Sequence, residues 1–241
     1  MNGGVFGPLL RAGLFAQVIL LILFIASIVC WAVIIGKARK LGRARKQTRQ
    51  FLNIFRYHGR ITEHEALAKD HPESPLSSLL TAGLREWNAL LAQLQGVAGR
   101  AELMRQLIPN VTEAMERAAS RELDRLEGRM SLLAITASVA PFLGLLGTVQ
   151  GVLRSFLAMR AEELVTLQKI APGISDALIT TVVGLIVAIP AAIFYNSFVA
   201  RVRDLNSEME RFTSELTGMF RREIAASHLD SPSSQRPEEA G

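Results

Sequence analysis

Three long apolar runs alternate with charge-rich sequence: Ala12 to Gly36, Ser131 to Phe156, and Pro172 to Val199. Each has more than 20 residues. At about 1.5 Å of rise per residue, each is long enough to cross a hydrocarbon core roughly 30 Å thick as a helix. The polar stretches are also helical in pattern. Ser77 to Gln95 is rich in Leu and Ala, and Ala101 to Met130 carries apolar positions among charges such as Glu113 with Arg117, and Arg121 and Arg125 with Asp124. Pro72, Pro75 and Gly96 to Gly99 read as turns. No breaker interrupts the run from Val111 to Gly128, so its helix is expected to continue into the second span. Beyond the third run, Val202, Leu205, Met209, Phe212, Leu216 and Met219 keep a heptad rhythm. That rhythm predicts a helix that leaves the membrane and packs on the helices of residues 77–130.

The expected fold class is therefore all-α: a polytopic membrane protein with three transmembrane helices and long helical extensions. The segments are 1–11, a short amino terminus; 12–36, the first span; 37–130, a helical region; and 131–156, the second span. A loop at 157–171, the third span at 172–199, a helix at 200–226 and a disordered tail at 227–241 complete the chain.

Charge sets the expected orientation. Seven basic residues lie between Lys37 and Arg49, against Arg11 alone before the first run. The positive-inside bias then places the carboxyl end of the first span in the cytoplasm. It follows that 1–11 and 157–171 are periplasmic, with Arg160 and Lys169 offset by Glu162 and Glu163, and that the carboxyl terminus is cytoplasmic. The first run is too long for a signal-peptide core of about 7–15 residues, and its charge is on the wrong end. The net charge of +5 is not read as nucleic-acid binding, because the positive residues cluster beside a span. Cys30 is the single cysteine, which excludes a disulfide within the chain and makes packing its expected role.

The second and third runs differ from the first in carrying stripes of small residues. Ala137, Pro141, Gly144, Thr148, Gly151 and Ser155 recur at steps of four and three, as do Ala177, Thr181, Gly184, Ala188, Ala191 and Tyr195. Small residues let helix backbones approach closely in lipid, so both stripes are expected to face protein or a pore. The bulkier first span is expected on the outside, against lipid. Counted inward from Leu153 and Ala177, Thr148 and Thr181 lie about 6 to 8 Å below the same membrane face. Two hydroxyls at one level can coordinate water or a partner's carboxylate; equally, each can bond back to a carbonyl one turn earlier. Pro141 and Pro190 are read as helix-shaping residues, and Pro172 as a proline at a helix start.

No Asp, Glu, Lys or His lies deep in any of the three runs; Asp176 and Arg154 are at the rim. A proton path through hydrocarbon normally keeps an ionisable group near its middle, so conduction would require a partner helix to bring one. Enzymatic readings find no support. His64-Glu65 is followed by Ala68 where a zinc-protease helix needs its second His, and the chain carries neither a Gly-Lys-Ser/Thr phosphate loop nor a nucleophile elbow. No cofactor and no metal are expected.

The segments Ala140-Pro-Phe-Leu-Gly-Leu-Leu-Gly-Thr-Val-Gln-Gly151 and Ala171-Pro-Gly-Ile-Ser-Asp-Ala-Leu-Ile-Thr-Thr-Val-Val-Gly184 resemble the signature of the MotA/TolQ/ExbB proton-channel family. So do Ala188-Ile-Pro-Ala191 and Tyr195-Asn196. Within the family the chain is most similar to the TolQ branch, with ExbB as near neighbour. Asp176 stands where the family usually has Glu, and Gln150 where it usually has Trp. The resemblance implies a homo-oligomeric ring, five subunits in related complexes, around single-span partner helices similar to TolR or ExbD. It implies that a partner aspartate carries the proton and that Thr148 and Thr181 line its path. Gly144, Gly147, Gly151, Ala177, Gly184 and Ala188 are then helix-packing and pore-lining residues, and Asp176 a rim charge. The implied role is that of a bacterial inner-membrane subunit that uses the proton motive force to energise a TolA-like or TonB-like protein. The TolA-like case would serve outer-membrane integrity and invagination at division. A passive scaffold for single-span partners is the reading from another class.

Overall fold

The computed structural model describes residues 14–57, 64–97, 99–160 and 167–229. The described residues form six helices: α1 (Leu14–Tyr57), α2 (His64–Asp70), α3 (Pro75–Gln93), α4 (Arg100–Glu127), α5 (Met130–Arg160) and α6 (Leu167–Leu229). α1, α5 and α6 each contain a stretch long and apolar enough to cross a membrane. The segments at 1–11 and 230–241 lie outside the described residues, as does the middle of the loop between the second and third spans.

Two compact units are built from this chain. One comprises residues up to Arg39 together with Gly128–Ala200; the other comprises Lys40–Glu127 and the residues from Arg201 onward. In the first, the amino-terminal half of α1 packs through Ile19 and Leu23 against Ala140 of α5 and Val187 and Ala188 of α6, with Leu143 and Val183 at the margin. Its other side is open: Leu21, Phe24, Ile25 and Ile28 are exposed. Trp31 meets Phe194 edge-on at 6.2 Å. Cys30 is free and buried.

In the second unit, the later part of α1, the helices α2 to α4 and the later part of α6 share one apolar core. The heptad rhythm is followed by burial at Val202, Leu205, Met209, Phe212 and Leu216, of which Met209, Phe212 and Leu216 enter this core. Its final step lands on Phe220, fully buried, while Met219 packs at the core's edge. Phe212 lies edge-on to Phe51 at 5.5 Å and to Phe55 at 5.0 Å; Trp87 stacks on Phe220 at 4.6 Å. Such pairs add about 0.5–1.5 kcal/mol beyond their buried area.

The approach to α3 is fastened to α1 by polar contacts. Pro75 opens α3 behind the N-cap residue Ser74; the Ser74 hydroxyl pairs with the Thr48 hydroxyl at 3.2 Å instead of capping the helix. The Glu73 amide donates to Gln47 Oε1 at 2.7 Å. Lys40 donates to the Arg125 carbonyl at 2.8 Å, placing a cation on the last turn of α4, where the helix dipole favours it. The Glu113–Arg117 pair, at 3.2 Å, is exposed and contributes little.

Four expectations are corrected. The helix that passes Val111 does not run into the second span: α4 stops at Glu127, and a turn at Gly128–Arg129 precedes α5. Gly128 offers the weak point, and Arg129 takes the left-handed conformation, with φ of 67°, that lets the chain restart. Pro172 lies past the first turn of α6, which begins at Leu167, rather than at a helix start. The helices also reach further into the second connection than the apolar runs do, through Arg160 on one side and from Leu167 on the other. Likewise α6 continues to Leu229, inside the stretch expected to be a tail.

Candidate functional site

The seam between α5 and α6 is where small residues replace bulky ones. Its buried positions are Ala140, Gly144, Gly147 and Ser155 on α5, and Ala177, Thr180, Gly184, Ala188 and Ala191 on α6. A methyl group added at Gly144 would lie 2.9 Å from the Thr180 carbonyl and the Thr181 Cα; one at Gly184 would lie 2.6 Å from the Ala140 carbonyl. At Gly151 it would meet the Ala177 side chain at 2.6 Å, and at Gly147 it would collide with the Thr180 hydroxyl. The backbones are therefore as close as glycine permits, and dispersion contacts of this kind hold helices together in lipid.

This seam carries the hydroxyls. Thr148 Oγ1 and Thr181 Oγ1 are 2.7 Å apart. Both reach the Gly144 carbonyl, at 3.1 Å and 3.0 Å, and Thr180 Oγ1 reaches it at 3.2 Å. Since a carbonyl oxygen offers two lone pairs, the three hydroxyls and the α-helical N–H of Thr148 oversubscribe it. Alternatives are at hand for two of them: the Thr148 hydroxyl also reaches the Leu145 carbonyl at 3.0 Å, and that of Thr180 reaches Ala177 at 2.7 Å. Thr181 contacts the Gly144 carbonyl and the Thr148 hydroxyl. Rotation about the Cβ–Oγ1 bonds of Thr148 and Thr180 therefore suffices to aim their protons at either acceptor.

Thr148 does bond back to the carbonyl one turn earlier. Thr181 instead reaches across the seam. Both are half-buried, at the edge of the packed strip rather than its centre. Beside them Leu145, Val149, Leu178 and Val182 are exposed, so the hydroxyl pair opens onto an apolar face.

Thr180 was not singled out by the spacing of small residues, yet it is fully buried and is the hydroxyl most tightly held. The packed strip keeps Gly144, Ser155, Ala177, Gly184, Ala188 and Ala191 of the expected stripes and adds Ala140 and Gly147 on α5 and Thr180 on α6. Gly147, opposite Thr180, was the available signal. Pro141 and Pro190 lie within continuous α5 and α6. Asp176 is on the backbone of α6, and its side chain is outside what the structure describes.

Fold and seam together define a multi-pass, all-α membrane protein whose second and third spanning helices meet through glycines and hydroxyls. The sequence matches the MotA/TolQ/ExbB proton channel family over residues 72–211. The chain belongs to that family. It is 34% identical to the Tol-Pal system protein TolQ of Haemophilus influenzae, over 89% of this chain and 92% of that protein. It is 33% identical to the protein of the same name in Pseudomonas aeruginosa, over 90% and 92%. Against the Biopolymer transport protein ExbB of Pseudomonas putida the identity is 27%, over 89% of this chain and 62% of that protein.

Proposed function

We propose that this chain is the TolQ-like proton-channel subunit of a Tol-Pal-type complex in a bacterial inner membrane. The observation that carries the reading is the Thr148–Thr181 hydroxyl pair at 2.7 Å, set in a membrane seam whose runs contain no deep ionisable residue. A single-span, TolR-like partner supplies an aspartate against the open face beside the pair. A neutral carboxyl donates to a threonine lone pair. A carboxylate accepts from a threonine hydroxyl that has turned away from Gly144. Burying that carboxylate without such a donor is costly, so the charged state is held at the threonines and the neutral state is free to move past apolar wall.

Alternating protonation then displaces the partner and energises a TolA-like protein, in support of outer-membrane integrity and invagination during division. The subunits form a ring, five in number, with the amino terminus periplasmic and the carboxyl terminus cytoplasmic. Asp176 is a charge at the periplasmic rim. Gly144, Gly147, Gly151, Ala177, Gly184 and Ala188 fix the wall in which the hydroxyls sit and so shape the pore. Pro141 and Pro190 each free a carbonyl one turn back and bend the wall locally.

An ExbB-type role with ExbD-like and TonB-like partners is the second reading, favoured by the similarity to ExbB proteins. Coverage supports the first: the chain spans 92% of the two TolQ proteins and 62% of that ExbB. Complementation separates them. The chain should restore detergent resistance to a strain lacking TolQ and leave siderophore uptake unrestored in one lacking ExbB; the reverse pattern would assign it to the second system. Thr181→Ala should abolish the restoration without loss of the assembled complex.

A further inference from the structure

Away from the seam, in the second unit, a groove of about 400 Å³ lies between α2, the first half of α3 and the second half of α4. That volume is within the roughly 300–1,000 Å³ of ligand sites. Its lining includes three small side chains, Ala68, Ala82 and Ala118, and two exposed arginines, Arg85 and Arg121. The alanines leave room for another backbone to lie close.

The polar groups of the lining divide into two kinds. The hydroxyls have spent their protons: Ser77 donates to the His71 carbonyl at 2.7 Å, Ser78 to Glu122 at 2.8 Å and Thr81 to the Ser77 carbonyl at 2.8 Å. What they offer the groove is lone pairs. Glu122 is held by Ser78 and, at 3.4 Å, by Arg125. Arg85 and Arg121 have no ion-pair or hydrogen-bond partner among the described residues, and a guanidinium offers donors only. A matching occupant therefore brings carboxylates for the arginines and N–H groups for the hydroxyls. An acidic peptide has both, whereas a phosphate would leave the hydroxyl lone pairs unused.

The chain carries such a peptide beyond α6. Residues 230–241 hold Asp230, Glu238 and Glu239 against Arg236 alone, and α6 from Arg201 onward belongs to the same unit as the groove. α3 and α6 run in the same direction: a methyl at Gly83 would lie 3.5 Å from Leu216, and Trp87 stacks on Phe220. From Phe220 to the end of α6 at Leu229 is about 13 Å of helix, so Arg85 lies about 16 Å back along the axis. The chain from Leu229 to Glu238 spans up to about 30 Å when extended, enough for the acidic pair to return to the groove.

We infer that this groove is the docking site of the chain's own acidic carboxyl-terminal segment, with Glu238 and Glu239 on Arg85 and Arg121. Seated there, the segment straps α3 to α4.

The test is hydrogen exchange, followed by mass spectrometry, on the full-length chain in its native oligomeric state. Amides of residues 230–241 should exchange about fivefold more slowly than those of a synthetic peptide of the same sequence. Arg85→Gln/Arg121→Gln should restore the free-peptide rate, and Arg117→Gln, on an exposed arginine already paired with Glu113, should not. If the double variant fails to assemble, Glu238→Gln/Glu239→Gln leaves the groove intact and should release the segment equally. Exchanging the charges, Arg85→Glu/Arg121→Glu with Glu238→Arg/Glu239→Arg, should bring the protection back. A segment that exchanges at the free-peptide rate in the wild type, or protection that survives both glutamine pairs, overturns the assignment. So does a freely exchanging segment in a protein whose Pro75–Gln93 amides are slowed by added polyglutamate or by inorganic phosphate, results that would give the groove to an acidic partner or to a phosphate.

Discussion

Thr148 and Thr181, on different helices and 33 residues apart in sequence, bring their hydroxyl oxygens to 2.7 Å. Both also lie within bonding distance of the carbonyl of Gly144. A hydroxyl that must share its acceptor is easily recruited by a better one, and a carboxylate is the better acceptor.

Thr181→Val, close in shape but without the hydroxyl, should reduce proton flux through the partnered complex about 10-fold to 100-fold. That is the loss expected when a charged acceptor forfeits a bond of about 1.5–3 kcal/mol. Thr181→Ser should retain most of the flux. Flux measured by a pH-sensitive dye in proteoliposomes checks both, and equal activity of the Val and Ser variants would refute a hydroxyl role.

Thr180 is expected to behave differently from its neighbour. Its hydroxyl is fully buried and donates within the seam. Thr180→Val should therefore cost stability, about 1 kcal/mol, while leaving flux within about twofold of wild type. Thermal unfolding and flux assays on the same preparation distinguish the two threonines.

Gly184→Ala should loosen the α5–α6 pair, because its methyl would sit 2.6 Å from the Ala140 carbonyl, a backbone atom with little room to yield. An overpacking cost of about 1–3 kcal/mol is expected, read as a lower thermal midpoint and weaker assembly. Gly36→Ala, where nothing lies within 4 Å, should be tolerated.

Phe212→Ala removes the ring shared by Phe51 and Phe55 and should destabilise the second unit by roughly 3–5 kcal/mol. The exposed Arg203→Ala should stay within about 0.5 kcal/mol of wild type. Limited proteolysis of the residues 40–127 reports the difference.

Much of this architecture is legible in the sequence because lipid imposes strict rules: only long apolar helices satisfy their backbone there. The three spans and the heptad from Val202 follow directly. The pairing of Thr148 with Thr181 was legible at the level of depth, as hydroxyls at one height. Gly144, Gly147, Ala177, Gly184 and Ala188 were legible as packing residues and are buried, but the burial of Thr180 and Ala140 in the same seam was not. A stripe read at steps of three and four leaves the helix rotation uncertain by about one residue, and that margin separates Thr180 from Thr181. The break at Gly128–Arg129 escaped for a related reason, since a single glycine costs a helix only about 1 kcal/mol and nothing in the local pattern requires Arg129 to adopt a positive φ.

The decisive measurement is decay of a pH difference across liposomes containing the subunit alone or together with its single-span, aspartate-bearing partner. Alone, the subunit should hold the gradient; with the partner, the gradient should collapse at a rate that depends on Thr181. Comparable leakage from the unpartnered chain, unaffected by Thr181→Val, would contradict the dependence on a partner's acid.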